Sequence, residues 1–499
     1  MRFLFVLALL PWPLPALDGD SLEENLRRFL DVYNVVEANY ADTIDPEEVF
    51  YQGVLPGMMQ TLDPHSAFLD PEQYESLREM QRSTEKGFGS VVSLLPGRVI
   101  VLQTLPDSPS ARSGLSPGDE IMVINRYPLS RLSIDQLIQL LGQSRQQRAQ
   151  LMVKRPGFAR LIPMELVPAE MADPSVSHVF FLEPGLAYIK LVNFEQTTAS
   201  EFRAAIERLQ ADGMNGLVLD LRQNPGGIVE SAIMVASFFL QPGQDILWVE
   251  GREGPPQDVQ VPENSQPYDF PVSVLVDDRT ASAAELLAGA LQDHDRASIL
   301  GTTSFGKGLV QSVFQLSGGA AVALTTARYL TPSGRSIQRP LGDHACEMYA
   351  LADCKEESTT GQEFRTDSGR IVKGGGGVNP DQAVPPRGYT HFEAVMESSN
   401  SFFEFAQEYL RNHSGIGEDF EVSPELLDEF HTFLDKRRIQ PSLSEWSSTV
   451  GFIRNRLKQE IFNLAIGVEK GDEVSTRRDP VVRAALRTLA EQLQGPARP

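Results

Sequence analysis

The run Val272-Ser273-Val274-Leu275-Val276 leads, through Asp277-Asp278-Arg279 and Thr280-Ala281-Ser282, straight into the helical pattern Ala283–Gln292. A short apolar, β-branched run marks a buried strand, and a buried strand that opens directly into a helix is a unit of an α/β sheet. The same order recurs upstream. Leu186–Val192 reads as a strand and Ala199–Leu209 as a helix, and Gly216–Arg222 is a buried strand that runs into Gln223-Asn224-Pro225-Gly226-Gly227. Ile228–Leu240 reads as the next helix and Val322–Tyr329 as a further strand. Residues 159–388 are therefore expected to form one α/β domain.

The chain has 499 residues, which implies several domains. Residues 17–85 read as helical, with Leu22, Leu26, Phe29, Leu30, Val32, Val35 and Val36 at helical spacing. Asp63-Pro64-His65-Ser66 interrupts them; His65 reads as a turn residue, being next to a proline and far in sequence from any candidate nucleophile, with a catalytic histidine as the other reading. Residues 86–158 form a compact module of glycine loop, strands and a helix at Ile134–Leu141. Residues 389–499 are helical by pattern, with Phe402, Phe403, Phe405, Tyr409 and Leu410 on one face, and read as a packing or oligomerisation extension.

The N-terminus has the form of a secretory signal: Met1-Arg2, the apolar run Phe3–Leu10, then Pro11 to Ala16, with cleavage expected after Ala16. Leu14 departs from the small residue preferred three positions before the cut. The apolar run is shorter than the roughly 20 residues a spanning helix needs. In an exported chain Cys346 and Cys354 can close a small disulfide loop; two free thiols is the other reading. A net charge of −23 argues against a nucleic-acid surface. No Cys/His metal spacing is present, and neither metal nor cofactor is expected.

Chemistry concentrates between 282 and 311. Ser282 falls at a strand-to-helix turn, and Val310, Val313 and Phe314 suggest a strand carrying Lys307 and Gln311 on one side. Gly301–Lys307 fits GxxxxGK, yet Gly308 follows where a phosphate loop needs Ser or Thr, and a strand follows where it needs a helix. His294 lies about 18 Å along the helix from Ser282, too far to serve it as base. No G-x-S-x-G elbow occurs. A neutral lysine can activate a serine, but its pKa must fall from about 10.4 by over three units, on the order of 4–5 kcal/mol. Phe305, Gly306, Gly308, Leu309 and Val310 supply apolar surroundings for that. Backbone N–H groups of Ala283, Gly226 and Gly227 are candidate oxyanion donors. Spacing alone leaves a surface lysine and a helix-capping serine as the alternative.

Two resemblances bear on these residues. The order Gly87-Phe88-Gly89, strands, Ser108-Pro109-x-Ala111-x-x-Gly114-Leu115-x-x-Gly118-Asp119, strand, helix, strand resembles a PDZ domain, which binds an extended peptide as an added strand. By that resemblance the Gly87, Phe88 and Gly89 loop would hold a terminal carboxylate. Phe88, Leu137, Ile138 and Leu141 would take the last side chain, with the module's core as the other reading for Leu137 and Leu141. Asp220-Leu221-Arg222-x-Asn224-Pro225-Gly226-Gly227, Thr280-Ala281-Ser282-Ala283-Ala284-Glu285 and Gly301-x-x-Ser304-x-Gly306-Lys307-Gly308-x-x-Gln311 resemble three signatures of the carboxyl-terminal processing, or tail-specific, proteases. Leu62-Asp63-Pro64-His65-Ser66 and Gly376-x-x-x-Pro380-Asp381 match that family too.

This second resemblance covers about residues 20–385. It implies a multidomain α/β protein: a crotonase-like serine protease core with an inserted PDZ domain, N-terminal helices and a C-terminal helical extension. It implies Ser282 as nucleophile, Lys307 as general base, Gln311 as the residue orienting it, and Gly226, Gly227 and Ala283 as the oxyanion hole. Arg155 is the nearest match to a PDZ arginine that gates the site in some members. Phe88 replaces the aliphatic residue usual in the carboxylate loop, and the tail after about 390 lies outside the shared core. The implied protein is a periplasmic or otherwise extracytoplasmic serine endopeptidase, soluble after signal removal. Its partners would be proteins or peptides with accessible C-termini, with room for an adaptor or a homo-oligomer. A reading of a different class is a catalytically silent PDZ scaffold that only binds peptides; the intact Ser282, Lys307, Gln311 and Gly226-Gly227 set argues against it.

Overall fold

The computed structural model describes residues 19–80, 84–95, 97–145, 147–172, 174–252, 255–340, 361–413 and 415–494. The signal segment 1–16 and both Cys346 and Cys354 lie outside the described residues.

A six-stranded sheet forms the centre, in the order Val176–Glu183, Leu186–Leu191, Gly216–Asp220, Val272–Val276, Ala297–Gly301 and Gln382–Ala383. The first pair is an antiparallel hairpin and the remaining neighbours run parallel. Successive residues of a strand point to opposite faces, so a run with no polar alternation must be covered twice. Leu217, Leu219, Val274 and Ile299 enter one core, with helices Thr198–Ala211, Val229–Ala236 and Ala283–Asp293 packed over them. Val218, Leu275 and Leu300 enter the other, closed by Val481, Val482, Ala485 and Leu489 of helix Pro480–Gln494. The last helix of the C-terminal segment thus completes the sheet domain. Helices His391–Ser398, Ser401–Asn412, Pro424–Lys436 and Leu443–Ala465 share a separate core around Phe402, Phe405, Phe430 and Leu457.

A second sheet stands beside the first. Ala321–Leu330 is its spine, pairing with Leu309–Gln315, with Asp245–Gly251 and, from the N-terminal region, with Ala67–Leu69. Phe68 packs there with Met59 and Ala320. The N-terminal residues are therefore sheet as well as helix at this point.

Residues 90–166 form an antiparallel sheet in the order Ser90–Leu95, Arg98–Thr104, Glu120–Ile124, Ala149–Lys154 and Ile162–Leu166. The fifth strand extends this unit beyond residue 158. Ser90–Leu95 is an edge strand, with helix Ile134–Ser144 beside it. That helix starts on a reciprocal cap between Ser133 and Gln136. Strands Thr84–Gly87 and Ala169–Ala172 pair where the chain enters and leaves the unit. Arg98 reaches Glu404 of the C-terminal helices at 3.4 Å, and Gln103 accepts from Val468 N–H at 3.1 Å. Among the described residues, no helix is long and apolar enough to cross a membrane.

Candidate active site

Ser282 ends the turn after strand Val272–Val276 and stands at the head of helix Ala283–Asp293. Its φ is 55°, a left-handed backbone value that costs a non-glycine residue energy and that tight surroundings must enforce. Glu285 does much of the enforcing. Its side chain is wholly buried and accepts from Ser282 N–H at 2.9 Å, Lys307 N–H at 2.8 Å and Gly306 N–H at 2.7 Å, and from the Ser304 hydroxyl. One carboxylate therefore ties the serine segment to the lysine segment. Burial raises the Glu285 pKa, against the pull of those donors. Sequence reasoning gave Glu285 no role, although its place three residues after Ser282 is the spacing of a helix-start capping pair.

Lys307 precedes the strand Leu309–Gln315 rather than lying within it, and a bulge falls between Val310 and Gln311. The shared face expected from strand alternation does not arise that way. The two side chains nevertheless meet: Lys307 Nζ donates to Gln311 Oε1 at 2.9 Å. Gln311 Nε2 in turn donates to the His65 carbonyl at 2.6 Å. Lys307 is half-buried, and burial lowers its pKa while the Asp63 carboxylate opposes the drop. No hydrogen bond joins Ser282 to Lys307 among the described residues; the Ser282 hydroxyl lies within reach of the buried Tyr329 phenol, which donates to the Lys307 carbonyl.

Gly226 comes close to Ser282. A Cβ on Gly226 would lie 2.8 Å from Ser282 Cβ and 2.9 Å from the Ala283 nitrogen, and its φ is +97°, so only glycine fits. The Gly226 N–H donates to Asn224 Oδ1 at 2.9 Å and is not an open donor. The N–H groups of Gly227 and Ala283 take no partner among the described residues.

The two rejected motifs have other roles. The Gly306 and Lys307 N–H groups of the GxxxxGK stretch are taken by Glu285, which leaves no cradle for a phosphate. His294 bonds the Asp245 carbonyl at 2.7 Å and Asp367 at 2.8 Å, far from Ser282 in function.

In the smaller unit, Leu137 is wholly buried in the core with Val99, Ile121 and Val153, which corrects its assignment to a peptide groove. Leu141 and Phe88 pack partly on that core, and Ile138 is 54% exposed. The Phe88 and Gly89 N–H groups have no partner among the described residues. Gly89 has φ +69°, and a Cβ there would strike Ser108 Cβ at 2.3 Å. Arg155 is held within this unit, by Asp119 at 2.8 and 2.7 Å and by the Gly114 carbonyl at 2.7 Å, and is not brought to Lys307.

The model of peptidase family S41 matches residues 185–342. Carboxy-terminal processing protease CtpA of Bacillus subtilis is 31% identical over 330 residues, covering 64% of this chain and 68% of that one. The carboxy-terminal-processing protease of Bartonella bacilliformis is 32% identical over 319 residues, covering 63% of this chain and 73% of that one. Among solved structures, the photosystem II D1 C-terminal processing protease is 26% identical, with a TM-score of 0.40, over 72% of this chain and 88% of that one. The chain belongs to the carboxy-terminal processing proteases of peptidase family S41 and is a serine-type peptidase.

Proposed function

We propose that this protein is an exported endopeptidase that grips the C-terminal tails of proteins through its PDZ-like unit and cleaves them with a Ser282–Lys307 dyad. The observation that carries the reading is the convergence on Ser282. Glu285 locks its segment to Lys307, Gln311 holds the amine, Gly226 abuts Ser282 and the Ala283 nitrogen, and the N–H groups of Ala283 and of the next glycine, Gly227, take no partner among the described residues. In the acylation step neutral Lys307 takes the Ser282 hydroxyl proton as Oγ attacks the peptide carbonyl. The oxyanion settles on the Gly227 and Ala283 N–H groups, and the lysine ammonium then gives its proton to the departing amine. Water repeats the sequence on the acyl-enzyme. Tail binding along the Ser90–Leu95 edge, with the carboxylate on the Phe88 and Gly89 N–H groups and the last side chain against Phe88, Ile138 and Leu141, would supply recognition. Among the described residues no hydrogen bond joins Ser282 to Lys307, and Arg155 is engaged elsewhere; both fit a resting form that a bound tail shifts to an assembled one.

Two results follow. The reactive lysine is the neutral one, and burial depresses its pKa. Activity must therefore rise with pH, and kcat/KM should climb through an apparent pKa below the free-lysine value, about 10.4. A profile flat between roughly pH 6 and 10 would contradict it. For recognition, a peptide substrate with a free C-terminal carboxylate is compared with its amide. Amidation should raise KM by about tenfold, the worth of one charge-assisted contact; equal KM values would remove the proposed carboxylate grip.

A further inference from the structure

We propose that Asp63-Pro64-His65-Ser66, from the N-terminal region, is a positioning loop for the general base: its His65 carbonyl orients Gln311, and its Asp63 carboxylate shapes the loop and sets the charge that Lys307 faces. This rests on Lys307 being the base. A glutamine carboxamide can present either oxygen or NH2 to a neighbour. The His65 carbonyl only accepts, so at 2.6 Å from Nε2 it forces the NH2 toward itself and Oε1 toward Lys307 Nζ. A neutral amine with one N–H fixed on Oε1 has its lone pair restricted in direction.

The loop is built to hold that carbonyl still. Asp63 accepts from His65 N–H and Ser66 N–H, each at 2.7 Å, and from the Ser66 hydroxyl at 2.8 Å. Ser66 is buried, and its Oγ accepts from Thr325 N–H at 3.2 Å. Thr325 is the cross-strand partner of Gln311, and Ala67–Leu69 pairs with the same strand two residues on, so the register itself sets the loop beside Gln311. The Asp63 charge favours the lysine ammonium. Lys307 is also neighboured by His65, by Glu285 of the nucleophile helix, by Tyr329 of the strand Ala321–Leu330, and by Arg339, whose backbone bonds Gly306. Burial and the lysine charge push His65 below its ordinary range.

The test compares pH profiles of kcat/KM on a fluorogenic tail-bearing peptide. Asp63→Asn keeps an oxygen for both N–H donors and removes the charge. Its ascending limb should move to lower pH, because nothing then favours the ammonium. Ser66→Ala keeps the charge and cuts the tie to Thr325; kcat should fall about tenfold while the limb stays in place. Thermal melts confirm that each variant is folded. A limb unmoved in Asp63→Asn, or an unchanged kcat in Ser66→Ala, overturns the positioning role while leaving the dyad intact. Parental activity in Lys307→Ala would overturn the dyad and this inference together.

Discussion

Ser282→Ala and Lys307→Ala should each lower kcat by about 10⁴-fold or more, and the double variant should be no slower than the worse single one. Nucleophile and base act on one proton, so losing either removes the whole step and leaves only binding and the oxyanion donors. The stability results should separate the two. Lys307 is half-buried and its charged form is disfavoured there, so folding holds a group that water would rather keep as an ammonium. Because its folded pKa is lowered, the cost is greatest at pH values below that pKa, fades as pH rises through it, and is gone above the unfolded value. Lys307→Ala should therefore melt at or above the parent temperature at neutral pH, while losing activity. A Lys307→Ala protein that is inactive because it is unfolded would contradict this account of the lysine.

Glu285→Ala should be the most damaging single change to the site's architecture. The carboxylate is wholly buried and receives three backbone N–H groups and one hydroxyl. Alanine would strand those donors without water. Each unsatisfied buried polar group costs about 1–3 kcal/mol, so a loss of about 3–5 kcal/mol is expected after relaxation. Release of Ser282 from its left-handed conformation would also take the hydroxyl off target, so activity should fall with stability. Glu285→Gln keeps the volume but turns an NH2 toward donors, and should lie between parent and alanine. Denaturant melts with activity assays check this. Parental stability in Glu285→Ala would mean that the four contacts hold nothing together.

The readable part of this fold was local. Leu217-Val218-Leu219 and Val274-Leu275-Val276 carry no polar alternation, and that alone implies a strand covered on both faces. What covers the second face was not readable. Helix Pro480–Gln494 has an amphipathic pattern, but nothing in it names Val218 and Leu275 as its partners. Ser282 and Lys307 were visible as a serine at a helix start and a glycine-flanked lysine. Leu137 failed because a helix beside an edge strand has a core face and a groove face, and residues three and four apart distribute between them by a rotation that spacing does not fix. His65 does lie in a turn, as its sequence implies, but the contact of Asp63–Ser66 with the site was unreadable for a different reason. His65 is 246 positions from Gln311, and the pairing of Ala67–Leu69 with Ala321–Ala323 brings them together.

The central claim is that Ser282 forms the acyl-enzyme with Lys307 as its base. Turnover of a tail-bearing ester substrate, quenched in acid and read by peptide mass spectrometry, tests it most directly. The account predicts an acyl adduct on the peptide containing Ser282, formed faster as pH rises, and absent in Ser282→Ala. An adduct on another residue, or cleavage by Ser282→Ala at the parental rate, would contradict it.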